Sequence, residues 1–383
     1  MHTLKNQPLQ LINNLTPSQF FAEYWQKKPL LIRQAIPNFT GLLSANDLAG
    51  LACEEDIQAR IIKLNKDKWT VKNGPFDEAD FAKLPASNWT LLVQSVNHYL
   101  PEAAALLSQF DFIPHARLDD LMVSYAPKNG GVGAHVDSYD VFLLQGSGRR
   151  NWKISSQKDL SLIEGAPLKI LKNFICEQEW TLEAGDMLYL PPQIAHWGVS
   201  ESDDCMTYSV GFRAPKTHEL MHEFLSYLQD NLNQTDNTLY SDPDLQLHNH
   251  PAEISTTMVH KVNEMLQAIT WNNDHVTDFL GKYLTEPKPD VIFEPSRKIS
   301  QKQFANHCQQ KIVMLDLKSQ MLFSQNEYYL NGEKLNIEME LMPYMQELAN
   351  KRYLNTALLT SQQQNLLSHC LYPSYLAGFI GFK

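Results

Sequence analysis

The chain has 383 residues, of which 43% are hydrophobic, and a formal net charge of −11. This length provides the cores of two or three domains, and the longest apolar runs are far shorter than a membrane span. Its 5 cysteines are scattered, and the first residues lack the charged-then-apolar layout of a signal peptide. We therefore expect a soluble protein of the reducing cytoplasm, with no membrane attachment.

The acidic charge is concentrated in the first three quarters of the chain. Residues 286–383 contain 10 Lys and Arg against 9 Asp and Glu, whereas residues 1–285 contain 22 against 34. A field of this sign attracts a basic substrate and repels nucleic acid. The near-neutral C-terminal part also lacks the clustered basic face that duplex binding requires, so DNA binding is not expected.

The N-terminal 90 residues show a mixed pattern of helices and short strands. Aromatic residues recur at helical spacing over 18–28, and a strand is predicted at 30–33, directly after Pro29. Further strands are predicted at 91–93 and 121–125, with a helix over 101–107 between them. From there to Phe212 strand follows strand with short turns, which predicts an antiparallel β-barrel.

The stretch 130–150 contains candidate metal ligands. His135 and Asp137 alternate in an extended strand and therefore project from one face. A His-x-Asp pair can also be an ordinary surface pair, but the glycines before His135 allow close backbone approach and a buried-strand run follows. The third candidate, His196, lies on a predicted loop after a strand that ends at a double proline. Two histidines and one carboxylate form the facial triad of non-haem Fe(II) oxygenases.

A glycine-rich turn at 146–148 leads into a returning strand with an arginine on each face. Arg150, Trp152 and Ile154 share one face of this strand. Because that face is apolar, we expect Arg150 to point into the barrel and Arg149 to point away from it. A buried arginine requires an anion, and the carboxylate of a co-substrate could be held bidentately by its guanidinium.

These motifs resemble the bacterial ribosomal oxygenases, the YcfD-type (RoxA) branch of the JmjC family of 2-oxoglutarate oxygenases. The likeness is carried by residues 131–142, 145–150 and 208–215 and extends over nearly the whole chain. It implies an α+β chain with a double-stranded β-helix, the jelly-roll barrel of cupins and JmjC proteins. Its barrel mouth would hold Fe(II), with 2-oxoglutarate and O2 as co-substrates.

The resemblance also assigns residues to the co-substrate. Arg150 stands where that branch holds the distal carboxylate of 2-oxoglutarate, a position at which eukaryotic relatives have a lysine. Ser124 would add its hydroxyl to the same carboxylate. Thr207 departs from the pattern, since relatives have an asparagine there, and we assign it no role.

Beyond residue 215 the pattern changes to helices. Apolar residues form three stripes at helical spacing, led by Phe224 with Leu228, by Met258 with Val262, and by Phe279. So small a module cannot bury all of them, and the resemblance implies a homodimer through this segment. The predicted domains are a catalytic barrel with its N-terminal elements at 1–214, a helical dimerisation module at 215–285 and a winged-helix module at 286–383.

The helical segment also contains a match to the His-Glu-x-x-His signature of zinc peptidases. His218, Glu219 and His222 form this match. No third ligand follows at a suitable spacing, and the two residues between Glu219 and His222 belong to an apolar stripe. We therefore interpret the match as part of a helix surface.

The prediction for the whole chain is an Fe(II)- and 2-oxoglutarate-dependent protein hydroxylase. Its metal ligands and catalytic residues are His135, Asp137 and His196. The resemblance implies that the substrate is an arginyl residue of a large-subunit ribosomal protein, hydroxylated at its β-carbon. Tyr139 and Asp140 are candidates to stack on and pair with the substrate guanidinium. Two alternatives stay open: an N-methyl demethylase with the same ligands, and a metal-sensing winged-helix regulator that binds DNA.

Overall fold

The computed structural model describes residues 6–66, 68–232, 239–247, 249–295 and 297–383. Its N-terminal part consists of short helices and a set of antiparallel strands. In chain order these elements are α1 (Pro17–Glu23), β1 (Leu30–Ile32), α2 (Ala45–Leu51), β2 (Ala59–Asn65), β3 (Lys68–Asn73), α3 (Glu78–Ala82), β4 (Trp89–Val93), α4 (Pro101–Ser108), β5 (Leu118–Ala126), β6 (His135–Val136), β7 (Val141–Ser147), β8 (Arg150–Ser155), β9 (Gln178–Leu182), β10 (Met187–Leu190), β11 (Ala195–Ser200) and β12 (Cys205–Phe212).

These strands form two antiparallel sheets. The larger sheet has the order β1-β10-β7-β12-β5-β4-β2-β3, and the smaller one has the order β6-β11-β8-β9. Several neighbouring strands, such as β7 with β12 and β6 with β11, are far apart in sequence, which is typical of a jelly roll, in which the chain passes back and forth between two sheets. The predicted double-stranded β-helix is therefore confirmed.

The central strand β12 of the larger sheet is buried on both faces, and strand alternation there separates a hydrophobic core from a cavity. On β12, Tyr208 and Val210 belong to the main core, whereas Thr207 and Ser209 line the cavity inside the barrel. The adjacent strand β5 follows the same rule. A single buried strand therefore supplies both the packing of the fold and the polar lining of the site.

The N-terminal helices cover the outer face of the larger sheet. Phe20 of α1 is fully buried and lies 5.7 Å from the ring of Phe142 and 5.1 Å from that of Tyr189. Burial of one such side chain stabilises the fold by about 1.5–3 kcal/mol. The prediction of a helix over 18–28 was too long, because α1 ends at Glu23 and Gln26 adopts a positive φ of 57°.

The C-terminal part consists of helices and two small antiparallel sheets. Its elements are α5 (Thr217–Leu232), α6 (Thr256–Gln267), α7 (Asn273–Thr285), α8 (Gln301–Gln310), β13 (Ile312–Leu315), β14 (Met321–Ser324), β15 (Glu327–Leu330), β16 (Glu333–Leu335), α9 (Met342–Lys351), β17 (Tyr353–Asn355), α10 (Ser361–Leu376) and β18 (Ile380–Phe382). The sheet orders are β17-β13-β18 and β14-β15-β16. Within the described residues, no helix combines the length and apolar character needed to cross a membrane.

The predicted hairpin is present, and the geometry of its turn accounts for the Asn-Gly pair in its sequence. Asn331 and Gly332 connect β15 and β16 with φ values of 50° and 87°, as a two-residue hairpin turn requires. Helix α7 packs on this hairpin so closely that a Cβ on Gly281 would lie 2.3 Å from the ring of Tyr329. The predicted boundary at 285/286 thus assigns α7 and the sheet on which it packs to different domains. The domain limits stay a prediction.

The apolar stripe of α5 is covered in part, whereas that of α6 is exposed. Leu228 is only 4% exposed, and the ring of Phe224 lies 5.2 Å from that of Phe279. These two residues of α5 therefore pack inside the module and are not free to meet a second copy, while the expected dimer stays a prediction. In contrast, the stripe of α6 is solvent-exposed, with Val262 at 37% and Leu266 at 60% exposure.

Candidate metal centre and co-substrate site

The two candidate histidines face each other across neighbouring strands. His135 on β6 and His196 on β11 are partners in the antiparallel register, and their ring centroids are 4.2 Å apart. Directly opposed residues in such a pair have adjacent side chains. His196 lies within β11, so the prediction that a loop carries it was wrong. The strand pairing is what brings the two rings together.

Backbone hydrogen bonds orient both rings in the same way. Nδ1 of His135 lies 3.0 Å from the carbonyl oxygen of Gly133, and Nδ1 of His196 lies 3.0 Å from that of Ile194. Because a carbonyl oxygen only accepts, each Nδ1 donates and each Nε2 is left with a free lone pair. This is the usual way in which a protein orients a metal-binding imidazole.

Asp137 completes the donor set. One of its carboxylate oxygens lies 3.9 Å from Nε2 of His135, and the other lies 3.5 Å from Nε2 of His196. One potential ligand atom from each of the three residues lies within 4.8 Å of the others, and the described part of the chain contains no other such group. Burial, with His135 beside it, lowers the pKa of His196 to about 4, which keeps its imidazole neutral at pH 7. The donors therefore fit a divalent cation.

Glycine makes this close strand arrangement possible. A Cβ on Gly131 would lie only 2.5 Å from the carbonyl oxygen of Gly198 on β11, which is closer than any side chain tolerates. Gly133 has a φ of 84°, in the left-handed region that favours glycine. The segment before His135 can therefore lie directly against the strand of His196.

The three donors open into a cavity of about 640 Å³ inside the barrel. The predicted co-substrate residues, Arg150 and Ser124, line the same cavity. Arg150 is 3% exposed whereas Arg149 is exposed, which confirms the predicted directions of the two side chains. A volume of this size accommodates a small dicarboxylate together with one substrate side chain.

Arg150 lacks a counter-ion within the described structure. No described carboxylate forms a salt bridge with it, and its buried Nη2 has no hydrogen-bond partner there. A buried unpaired guanidinium is strongly unfavourable, so the site fits a ligand that brings its own carboxylate. The hydroxyl of Ser124 lies a long 3.5 Å from the carbonyl oxygen of Thr207, which makes this hydroxyl a second available donor.

Asp140 does not lie in the cavity, so its assignment to the substrate guanidinium was wrong. Its side chain is fully buried. One oxygen accepts a hydrogen bond from the hydroxyl of Tyr189 at 2.6 Å, and the other accepts from Gln26 at 2.9 Å and from Arg117 at 3.3 Å. Asp140 already pairs with a guanidinium of this chain and has a structural role.

Besides Asp119, the cavity carboxylate that sequence reasoning missed is Asp120. It is 7% exposed, and its Oδ2 accepts hydrogen bonds from the backbone and hydroxyl of Ser95, while no described residue donates to Oδ1. Burial and the adjacent Asp119 raise the pKa of Asp120, although Lys288 opposes this. Strand alternation could have found it, since Asp120 and the predicted Ser124 share one face of β5. Tyr139, as predicted, lines the same cavity.

The zinc-peptidase signature on α5 does not form a metal cluster in the described structure. His218, Glu219 and His222 are all solvent-exposed. The carboxylate of Glu219 instead accepts a hydrogen bond from the hydroxyl of Tyr283 at 2.5 Å. This segment is a helix surface, as interpreted from the sequence.

A jelly-roll barrel with two histidines, one aspartate and a buried arginine without a described counter-ion in a single cavity fits the class of non-haem Fe(II) oxygenases. The family description "JmjC domain" matches residues 105–220, and "ROXA-like winged helix" matches residues 268–380. The chain is 34% identical over 367 residues to the ribosomal protein uL16 3-hydroxylase of Escherichia coli (strain K12), covering 94% of this chain and 93% of that relative. It belongs to the ribosomal oxygenase family.

Other relatives and solved structures agree with this membership. The probable ribosomal oxygenase of Haemophilus influenzae is 41% identical over 252 residues, covering 64% of this chain and 59% of that relative. The structure of YcfD, a ribosomal oxygenase from Escherichia coli, matches 96% of this chain and 98% of its own with a TM-score of 0.80 and 32% identity. YcfD has also been solved in complex with cobalt and 2-oxoglutarate, with a TM-score of 0.81 and 32% identity over the same shares of the two chains.

Proposed function

We propose that this chain is an Fe(II)- and 2-oxoglutarate-dependent oxygenase that hydroxylates the β-carbon of an arginyl residue in the large-subunit ribosomal protein uL16. The observation that supports this most directly is the placement of a His-Asp-His donor set and an unpaired buried Arg150 in one cavity. A relative that matches 94% of this chain is a ribosomal protein uL16 3-hydroxylase. We place the reaction in the cytoplasm, where ribosomal proteins are assembled.

In this proposal, Nε2 of His135, Nε2 of His196 and one oxygen of Asp137 hold the metal. Bound together, Fe(II), 2-oxoglutarate and O2 supply the oxidising chemistry. The chain contributes orientation, because the Nδ1 hydrogen bonds to the carbonyls of Gly133 and Ile194 fix both imidazoles. Asp137 supplies the only charge among the three ligands and thus offsets part of the charge of the cation.

Arg150 is assigned to the distal carboxylate of 2-oxoglutarate, with Ser124 as an additional donor. Both side chains are 3% exposed. A charge-assisted pair in such a dry site is stronger than one at the surface, and the guanidinium fork fixes the direction of the carboxylate. Arg150 thereby selects a dicarboxylate over a monocarboxylate.

The other side of the cavity suits a cationic substrate side chain. Asp119 is already paired, since its carboxylate lies 2.9 Å from Nζ of Lys288. Asp120 has one oxygen without a described donor, and Tyr139 offers an aromatic face, 39% exposed, in the same cavity. One free carboxylate beside one ring matches a guanidinium, which pairs through its edge and stacks through its face.

We also propose that the enzyme acts as a homodimer and on protein rather than on DNA. The exposed stripe of α6 supports a second copy, because a stripe of large apolar side chains on a surface helix marks an interaction site. The acidic balance of residues 1–285 supports a basic protein substrate. The near-neutral 286–383 segment lacks the excess of cations that duplex DNA requires.

The test is a reaction of the purified enzyme with Fe(II), 2-oxoglutarate and ribosomal proteins from a strain that lacks the enzyme. Fragmentation mass spectrometry should locate one added oxygen atom on an arginine of uL16. Loss of a methyl group from a substrate residue would instead establish a demethylase. Oxidation confined to RNA or to free amino acids would contradict the proposed substrate, and retention on DNA at physiological salt would favour a regulator.

A further inference from the structure

Cys205 lies directly behind the guanidinium of Arg150. It is the first residue of β12 and is fully buried. Its Sγ accepts a hydrogen bond from Nε of Arg150 at 3.4 Å. Because the Nε–H of Arg150 already donates to the sulfur, a carboxylate would bind to the two terminal nitrogens of the guanidinium.

A second side chain fixes the position of this thiol. Nε2 of Gln145 donates to Sγ of Cys205 at 3.3 Å and to the carbonyl oxygen of Ser147 at 2.7 Å. Oε1 of Gln145 accepts from the hydroxyl of Thr207 at 3.1 Å. Thr207, Gln145, Cys205 and Arg150 thus form a hydrogen-bonded row in which no member is more than 3% exposed. Within this row, the hydrogen bonds in a dry site hold the Arg150 Nε, the thiol and the amide of Gln145 in fixed positions, while the terminal nitrogen Nη2 of Arg150 stays without a described partner.

We propose that Cys205 is a positioning residue for 2-oxoglutarate. Its thiol sets the rotation of the Arg150 guanidinium, so that the two terminal nitrogens are presented to the co-substrate carboxylate. This inference rests on the proposed function of Arg150. It also gives Thr207 a role at the far end of the row, where it orients Gln145.

The test compares the affinity for 2-oxoglutarate of manganese-loaded variants by isothermal titration calorimetry, with kinetics on the iron enzyme. Cys205→Ala and the volume-conserving Cys205→Val should weaken binding and raise KM by about three- to tenfold, the size of one hydrogen bond. The kcat at saturating 2-oxoglutarate should change little. Cys205→Ser keeps an acceptor and should restore most of the affinity. Cys308→Ala is the matched control, because Cys308 is equally buried but lies in the C-terminal core.

A double-mutant cycle separates this role from a general packing effect. In an Arg150→Ala background, Cys205→Val should cause no further loss of 2-oxoglutarate affinity. Wild-type affinity in both Cys205→Ala and Cys205→Val would overturn the inference, as would an equal loss in the Arg150→Ala background. A wild-type enzyme that binds no 2-oxoglutarate would overturn the proposed function itself.

In metal-free enzyme, the NMR resonance of the Arg150 Nε–H should shift in Cys205→Val and not in Cys308→Ala.

Discussion

His135 and His196 form a directly opposed pair across β6 and β11, and each donates from Nδ1 to a carbonyl two residues before it. With Asp137 they supply all the protein ligands of the proposed metal centre. We therefore expect His135→Ala, Asp137→Ala and His196→Ala each to abolish turnover of 2-oxoglutarate, measured as succinate. Thermal unfolding should stay close to wild type, because all three side chains lie at the cavity and outside the main core.

A matched control exists on α5. His218 is exposed and lies outside the metal cluster, so His218→Ala should keep wild-type turnover. Binding of Mn(II) should be lost with each of the three ligand variants and retained with this control. Succinate formation near the wild-type level in any ligand variant would remove that residue from the centre.

The two adjacent arginines provide an internal comparison. Arg150→Ala should raise the KM for 2-oxoglutarate by about tenfold or more, since a buried charge-assisted pair contributes about 1.5–3 kcal/mol. Arg149→Ala should change it by less than about twofold, because an exposed charge contributes little. The measurement is succinate formation at a range of 2-oxoglutarate concentrations. Equal effects of the two substitutions would show that Arg150 does not bind the co-substrate.

Much of this site was predictable because side chains alternate along a strand. Alternation alone placed Arg150 inside the barrel and Arg149 outside, and the structure agrees. The same rule would have identified Asp120, because Asp120 lies four residues before Ser124 on β5 and therefore on the same face of the strand. The assignment of Asp140 rested on its closeness in sequence to the ligand pair and not on this rule, and Asp140 lies between β6, which ends at Val136, and β7, which begins at Val141. Alternation does not continue across the irregular segment between them, and Asp140 turns toward the N-terminal helix region.

The helical part shows a different limit of sequence reasoning. The 3.6-residue periodicity predicted amphipathic helices, and helices are present. Periodicity does not tell which neighbour covers a stripe, since that depends on long-range packing. Phe224 and Leu228 of α5 pack within the module, whereas Val262 and Leu266 of α6 are exposed, and so are Met221 and Leu225 of α5.

The same substitution should affect substrate binding at Asp120 and the stability of the fold at Asp140. Asp120→Asn keeps an acceptor for Ser95 but removes the charge that is proposed to pair with the substrate. It should raise the KM for the protein substrate by about tenfold or more and leave the KM for 2-oxoglutarate unchanged. Asp140→Asn should instead lower the free energy of unfolding by about 1–3 kcal/mol, because it removes the charge of a buried ion pair with Arg117.

The pKa of Asp120 also predicts a pH dependence of stability. Burial raises this pKa above the ordinary value, so the folded protein holds the proton more tightly than the unfolded chain does. The ionised carboxylate therefore destabilises the fold as the pH rises above about 4, the ordinary aspartate range. Asp120→Asn should be more stable than wild type at neutral pH, and this gain should vanish at lower pH. Denaturant unfolding at two pH values measures it, and a gain independent of pH would contradict the assignment.

The exposed stripe of α6 predicts a homodimer. Val262→Glu and Leu266→Glu place a charge on side chains that are already 37% and 60% exposed, so they should leave the subunit folded while separating two copies. Sedimentation equilibrium should give a dimer mass for wild type and a monomer mass for the two variants. Gln267→Glu, which adds the same charge on the polar side of the helix, should remain dimeric. A wild-type protein that is already monomeric, or variants that keep the dimer mass, would show that α6 meets some other partner.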